Sequence, residues 1–389
     1  MRTLYQKFET LLQSTTTDFK RYLYEKVSWD SRMIGIIGAR GVGKTTMILQ
    51  HIKENLNSKK ALYVSADDMY FGENRLLDLA DDFYKNAGEY LFIDEIHKYP
   101  DWSHELKNIY DSFPGLKIIF TGSSVLDILK GSADLSRRAI IYKLPGLSFR
   151  EYLKLFHNYE TEVYSLEQII NNEVKLVNIK HPLPLFNDYL KRGYFPFGLE
   201  NEMNLRLGQI IVQTLESDIP QYANLNVGTS RKLKRLLSII AESVPFKPNF
   251  SKISEIISVS RNSLDDYFSY MEKAGLIGQL RNKTSGIRGL GKVDKVYLDN
   301  TNIIFNLVGD KSNAGNLRET FFFNQMRVRN KVISSKIADF IIDKYTFEVG
   351  GKNKQQNQIE KDGKSFVVKD DIEFGYLNVI PLWAFGLNY

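Results

Sequence analysis

Apolar residues follow two rhythms along this chain. Short unbroken runs recur through the first 150 residues: "MIGII" from Met33 to Ile37, "ALYV" from Ala61, "YLFI" from Tyr90, "LKIIF" from Leu116, and the run within "RAIIYKLPGL" from Arg138. Between them come helical spacings, as with Met47, Ile48, His51 and Ile52. Strand-like runs alternating with helical stretches predict a parallel α/β sheet with covering helices. At the start, Leu4, Phe8, Leu11 and Leu12 share one helical face and predict a packing helix. From Glu151 to about Asn224 the pattern is mostly helical, broken by "HPLPLF".

A different layout follows in "FSKISEIISVSRNSLDDYFSYMEKAGLI". Ile253, Ile256 and Ile257 form one apolar face, and Ser260 is placed to cap a second helix burying Leu264, Tyr267, Phe268 and Met271. Gly275 stands where a helix stop belongs. The next stretch reads as two strands around a Gly-rich basic turn. Helix, helix and hairpin together predict a winged helix.

The first strand runs into "GARGVGKTT", which contains GxxxxGK[ST] at Gly38, Gly43, Lys44 and Thr45, and a helical pattern follows. That setting marks a phosphate-binding loop. Gly38, Arg40, Gly41, Val42, Gly43, Lys44, Thr45 and Thr46 are its predicted nucleotide contacts, with backbone N–H groups and the helix N-terminus turned to the phosphates. Lys44 is expected to reach the β- and γ-phosphates and Thr45 to ligate magnesium. The apolar run in "EYLFIDEIHK" ends in Asp94 and Glu95. Asp94 is expected to hold Mg2+ and Glu95 to polarise the attacking water. Adjacent carboxylates favour a hydrolytic class, and without an NKxD-like guanine signature ATP is the expected nucleotide. Ser123 or Ser124 is a candidate γ-phosphate sensor. Arg137 and Arg138 are candidates for stabilising transition-state charge, with Arg138 preferred.

"GARGVGKTT", "LFIDEIHK", "FTGSS" and "LPGLSFREYL" together resemble the AAA-type ATPases of archaea and bacteria. "LFNDYLKRGYFP", "YLDNTNIIFNL" and "GNLRETFFFNQM" are similar to later segments of that family, in the same order. The resemblance implies four parts: a P-loop ATPase core over 1–150, a helical lid over 151–225, a winged helix over 226–298, and a restriction-endonuclease-like α/β domain over 299–389. It matches Arg138 to the Arg before the last core strand, with Arg137 where the family has Gly. In the last domain it implies a nuclease-type site at Glu319, Asp339 and Glu348. Gly350 stands in that site's lysine position, so cleavage is not expected, and whether Lys352 or Lys354 could reach back is open.

Composition adds exclusions. No apolar run is long enough to span a bilayer, and the N-terminus lacks a signal core, so a cytoplasmic, membrane-free protein is expected. With no cysteine, disulfides and thiolate metal sites are excluded. Between Leu225 and Asn300 stand 13 Lys or Arg against 7 Asp or Glu, which accounts for the chain's net charge of +6. That excess points to an anionic partner such as double-stranded DNA. Arg261 and Asn262 on the second helix and Arg281, Lys283, Arg288 and Lys292 of the wing are the candidate contacts, while Asp265 and Asp266 would repel phosphates. The expected function is an ATP-hydrolysing switch engaging DNA. The alternatives are a nucleotide-gated scaffold that binds protein or its own copies, and an ATP-licensed nuclease.

Overall fold

The computed structural model describes residues 1–122, 135–223, 225–242, 247–283, 292–309, 312–351 and 364–389. The chain divides into two compact units, Met1–Pro145 and Gly146–Tyr389.

In the first unit β1 (Met33–Ile37), β2 (Ala61–Ser65), β3 (Tyr90–Asp94), β4 (Lys117–Gly122) and β5 (Ile140–Lys143) form one parallel sheet in the order β2-β3-β4-β1-β5. The inner strands β1, β3 and β4 are buried almost throughout, which is why they read as continuous apolar runs rather than alternating ones. Among the described residues, helices α1 (Arg2–Ser14), α2 (Lys44–Asn55), α3 (Leu76–Lys85) and α4 (Trp102–Ser112) accompany the sheet. Leu4 and Phe8 of α1 are buried, but Leu11 is 39% exposed. The buried face is therefore narrower than the four-residue stripe predicted, with Leu12 half-buried. β4 lies between β1 and β3, so the ends of three neighbouring strands converge next to the loop after β1.

The second unit opens with a helix, Phe149–His157, fixed by a capping box between Ser148 and Glu151. Helices 166–170, 182–192 and 203–213 follow. They share a core with the end of the chain: Phe186 packs edge-on against Phe321 at 4.8 Å, and the Ser148 hydroxyl donates to the Tyr389 carbonyl at 2.8 Å. Helices Phe250–Ile257 and Arg261–Lys273 then lead into an antiparallel hairpin, β6 (Ile277–Arg281) and β7 (Val293–Leu298). Ser260 accepts from the Ser263 N–H at 3.1 Å and Gly275 takes φ +76°, the cap and the stop expected there. Ile256, at 37% exposed, falls outside the buried face formed by Ile253 and Ile257. A mixed sheet in the order β12-β11-β10-β9-β8 completes the unit. Its strands are β8 (Val332–Ser334), β9 (Phe340–Ile342), β10 (Tyr345–Gly350), β11 (Ser365–Lys369) and β12 (Val379–Pro381), with helix Ala314–Met326 packed against β10.

Candidate nucleotide site

The loop after β1 turns on glycines. Gly41 and Gly43 take φ of +78° and +95°, which side chains with a Cβ adopt at a cost. At Gly38 a Cβ would stand 2.3 Å from the Leu144 carbonyl oxygen, so no larger residue fits. Helix α2 begins at Lys44 directly after this turn, so its N-terminus faces the loop. Lys44 is buried, and its ammonium donates to the carbonyls of Gly38 and Ala39, each at 3.0 Å. The loop thus folds around its own cation.

Asp94 ends β3 and is 3% exposed. The Thr45 hydroxyl donates to its Oδ2 at 2.6 Å, joining the two predicted magnesium residues directly. Tyr63 of β2 donates to the same oxygen at 2.8 Å, and Thr121 of β4 donates to Oδ1. The backbone N–H of Glu95 also reaches Oδ1, at 3.1 Å. Burial, then the Asp94 charge, pushes the Tyr63 phenol well above its ordinary pKa, so it remains a neutral donor. Glu95 itself sits in the left-handed region, φ +51°, and its Oε2 lies 3.5 Å from Nε2 of buried His97. A non-glycine residue held there costs about 1–3 kcal/mol, a strain typical of functional positions.

An arginine that no motif indicates closes the loop from behind. Arg21 is buried and donates to the carbonyls of Val42, within the loop, and Pro145, the latter at 2.7 Å. The segment around it is strapped to α2: Gln50 donates to the carbonyls of Thr16 and Phe19, and Lys53 to those of Gln13 and Thr15. His51 stacks on Trp29 with ring centroids 3.9 Å apart, and burial pushes its imidazole down to about 4.

Arg138 is held by Asp111 of α4 through two hydrogen bonds, at 3.0 and 2.8 Å. Thr46 and Gly41 are exposed, Val42 is buried, and Arg40 is half-buried. Ser123 and Ser124 lie outside the described residues, as do Arg288, Lys352 and Lys354.

In the second unit, Glu319 and Asp339 do meet, but around a lysine. Lys295 of β7 donates to Glu319 at 3.1 Å and to Asp339 at 2.9 Å. Tyr297 adds a bond to Glu319 at 2.7 Å, and the Val349 N–H binds Asp339 at 3.0 Å. Burial raises the Glu319 carboxyl's pKa and the Asp339 charge raises it further, against the pull of Lys295. For Lys295, burial pulls down and the two carboxylates more than offset it, so the pair-bound ammonium stays charged. Glu348 is buried on β10, next to Phe347, which packs on Phe322 and Phe385. Among the described residues, no group of three or more His, Asp or Glu is arranged to hold a metal ion. The lysine at this cluster comes from the hairpin.

Loop, helix N-terminus, Thr45 and Asp94 stand together on a parallel sheet of this order, the arrangement of a P-loop nucleotide-binding fold. Residues 30–153 match the family described as an AAA domain, and residues 183–339 match a family described as a domain of unknown function. Over 265 residues the chain is 28% identical to an uncharacterized protein of Methanocaldococcus jannaschii, a stretch covering 63% of this chain and 56% of that protein. The chain therefore spans little more than half the length of that relative. Among solved structures it is similar to a Walker-type ATPase of Pyrococcus abyssi, with TM-score 0.46, 14% identity, and 74% of this chain and 95% of that one covered. It is also similar to NtrX from Brucella abortus, determined in complex with ADP, with TM-score 0.31, 15% identity, and coverage of 69% and 72%. No helix among the described residues is long and apolar enough to cross a membrane.

Proposed function

We propose that the first unit binds ATP with magnesium and hydrolyses it, and that nucleotide state governs engagement of double-stranded DNA by the second. The observation that carries the hydrolytic half is the Thr45–Asp94 contact at 2.6 Å, with Glu95 as the next residue. Thr45 and Asp94 would hold magnesium, which when bound neutralises charge between the β- and γ-phosphates. Lys44 leaves the Gly38 and Ala39 carbonyls for the phosphates, and the α2 N-terminus supplies further N–H donors. Glu95 orients the attacking water and takes its proton. Arg21 keeps the Val42 carbonyl turned away from the phosphates by holding it from behind.

The basic excess between Leu225 and Asn300 supports the DNA half. Lys283 and Lys292 flank the hairpin turn and are exposed, as are Arg261 and Asn262 at the start of their helix. The test measures ATP turnover of the wild type and Lys44→Ala with and without duplex DNA, across a salt series. DNA-stimulated turnover and affinity that falls steeply with salt support this reading; turnover indifferent to DNA overturns it.

A second reading, a nucleotide-gated scaffold binding protein, is favoured by a specific surface. An apolar cavity of about 580 Å³ in the second unit is lined by Ile169, Leu176, Phe374 and Trp383 among others. Exposed Val177, Phe374, Tyr376 and Leu377 stand in the same two loops, a clustering that marks interaction sites. Under this reading ATP changes assembly state and DNA changes nothing. Nuclease action is disfavoured, because Lys295 already occupies the space between Glu319 and Asp339.

A further inference from the structure

Asp94 lies on the middle one of three adjacent strands, β2, β3 and β4. In register its β2 partner is Ser65, and Tyr63 lies two residues earlier, hence on the same face of that strand. Thr121 follows Phe120, the register partner of Ile93, on the other flank. Each carboxylate oxygen thus receives a hydroxyl from a different neighbouring strand: Tyr63 on Oδ2 at 2.8 Å, Thr121 on Oδ1. Thr45 shares Oδ2 with Tyr63. A P-loop threonine needed by magnesium cannot also be the sole anchor of the carboxylate beside it.

We infer that Tyr63 is a positioning residue for magnesium: with Thr121 it forms a hydroxyl clasp that holds Asp94 in place when the Thr45 hydroxyl turns to the metal. This rests on the nucleotide-binding reading of the site. The phenol is suited to the role because it is 6% exposed and its hydroxyl donates directly to the carboxylate at 2.8 Å. Its ring stacks on Phe8 of α1 with centroids 6.5 Å apart, which fixes the direction of the hydroxyl. A core-filling role needs that ring alone; the clasp needs the oxygen.

Tyr63→Phe keeps the ring and removes the oxygen. The measurement is equilibrium binding of a fluorescent ATP analogue to the full chain, titrated with Mg2+, alongside binding in EDTA and thermal unfolding. The clasp predicts that the Mg2+ concentration giving half of the magnesium-dependent tightening rises about tenfold, the lower end for partners of metal-holding groups. Affinity in EDTA stays at the wild-type value. A Mg2+ titration superimposable on wild type overturns the inference, whatever happens to the melting temperature. Should Tyr63→Phe not fold, Thr121→Val decides in its place, with Thr121→Ser restoring the wild-type titration. Wild type that shows no magnesium-dependent tightening would remove the nucleotide reading itself. A responsive wild type with an unshifted variant removes only the clasp.

Discussion

Asp94 ends β3 in the first unit, while in the second Glu319 lies on the helix Ala314–Met326 and Asp339 just before β9, and the two sets of carboxylates keep different company. The described hydrogen bonds to Asp94 come from hydroxyls and a backbone N–H, all neutral. Glu319 and Asp339 share the ammonium of Lys295. Neutral donors orient a carboxylate without cancelling its charge, so a divalent cation is still attracted. An ammonium about 3 Å away cancels much of that charge and repels a second cation. A carboxylate that keeps its charge can serve a metal, whereas a carboxylate given an internal cation becomes a strut. The difference in chemistry lies in the partner each carboxylate is given.

The largest effect that would break this contrast is at Lys44. Lys44→Ala should abolish detectable ATP binding, measured by equilibrium titration, because the loop loses the cation expected to reach the β- and γ-phosphates. Next comes Lys295→Met. Removing the ammonium leaves two carboxylates facing each other, and stability should fall by about 3 kcal/mol in denaturant unfolding. Millimolar Mn2+ without nucleotide should then restore part of the variant's melting temperature and leave the wild type unchanged. An equal response in both proteins would mean that Lys295 does not exclude a cation. A smaller effect is expected at His51, where burial holds the imidazole at about 4 against an ordinary 6.5. The unfolded chain takes up that proton as pH falls below about 6.5, and the folded chain does not until about 4. Stability is therefore full above that window and declines as pH drops, by about 2 kcal/mol at pH 5. His51→Phe should flatten this slope while keeping the stack on Trp29. The smallest effect is expected for Arg138→Ala, whose exposed ion pair with Asp111 should leave the melting temperature nearly unchanged. A large loss of turnover in that variant would assign Arg138 a part in the chemistry.

The residues legible in the sequence are those whose neighbours along the chain define them. Gly38 to Thr45 form a contiguous loop, and Asp94 and Glu95 end an unbroken apolar run, so spacing alone identifies them. The strands of the first sheet were legible as short apolar runs, although β5 at the edge is not buried. Tyr63 and Thr121 were not, because a hydroxyl inside an apolar strand reads as packing until the register of three strands is known. Arg21 stands 12 residues ahead of β1 in a segment without periodicity, and only its burial and its bond to Val42 give it a role. Lys295 was hidden differently. It reads as one more basic residue of a hairpin, and its partners lie 24 and 44 residues further on. Leu11 and Ile256 show the opposite error, where helical spacing promised burial and the residues are 39% and 37% exposed.

The central claim, that Asp94 and Glu95 form a hydrolytic magnesium–nucleotide site, is tested most directly by Glu95→Gln. Bound ATP and multiple-turnover hydrolysis would be measured on the same preparation with magnesium present. The account predicts ATP affinity near that of the wild type, with turnover reduced by about 100-fold or more. Turnover equal to the wild type's would contradict it.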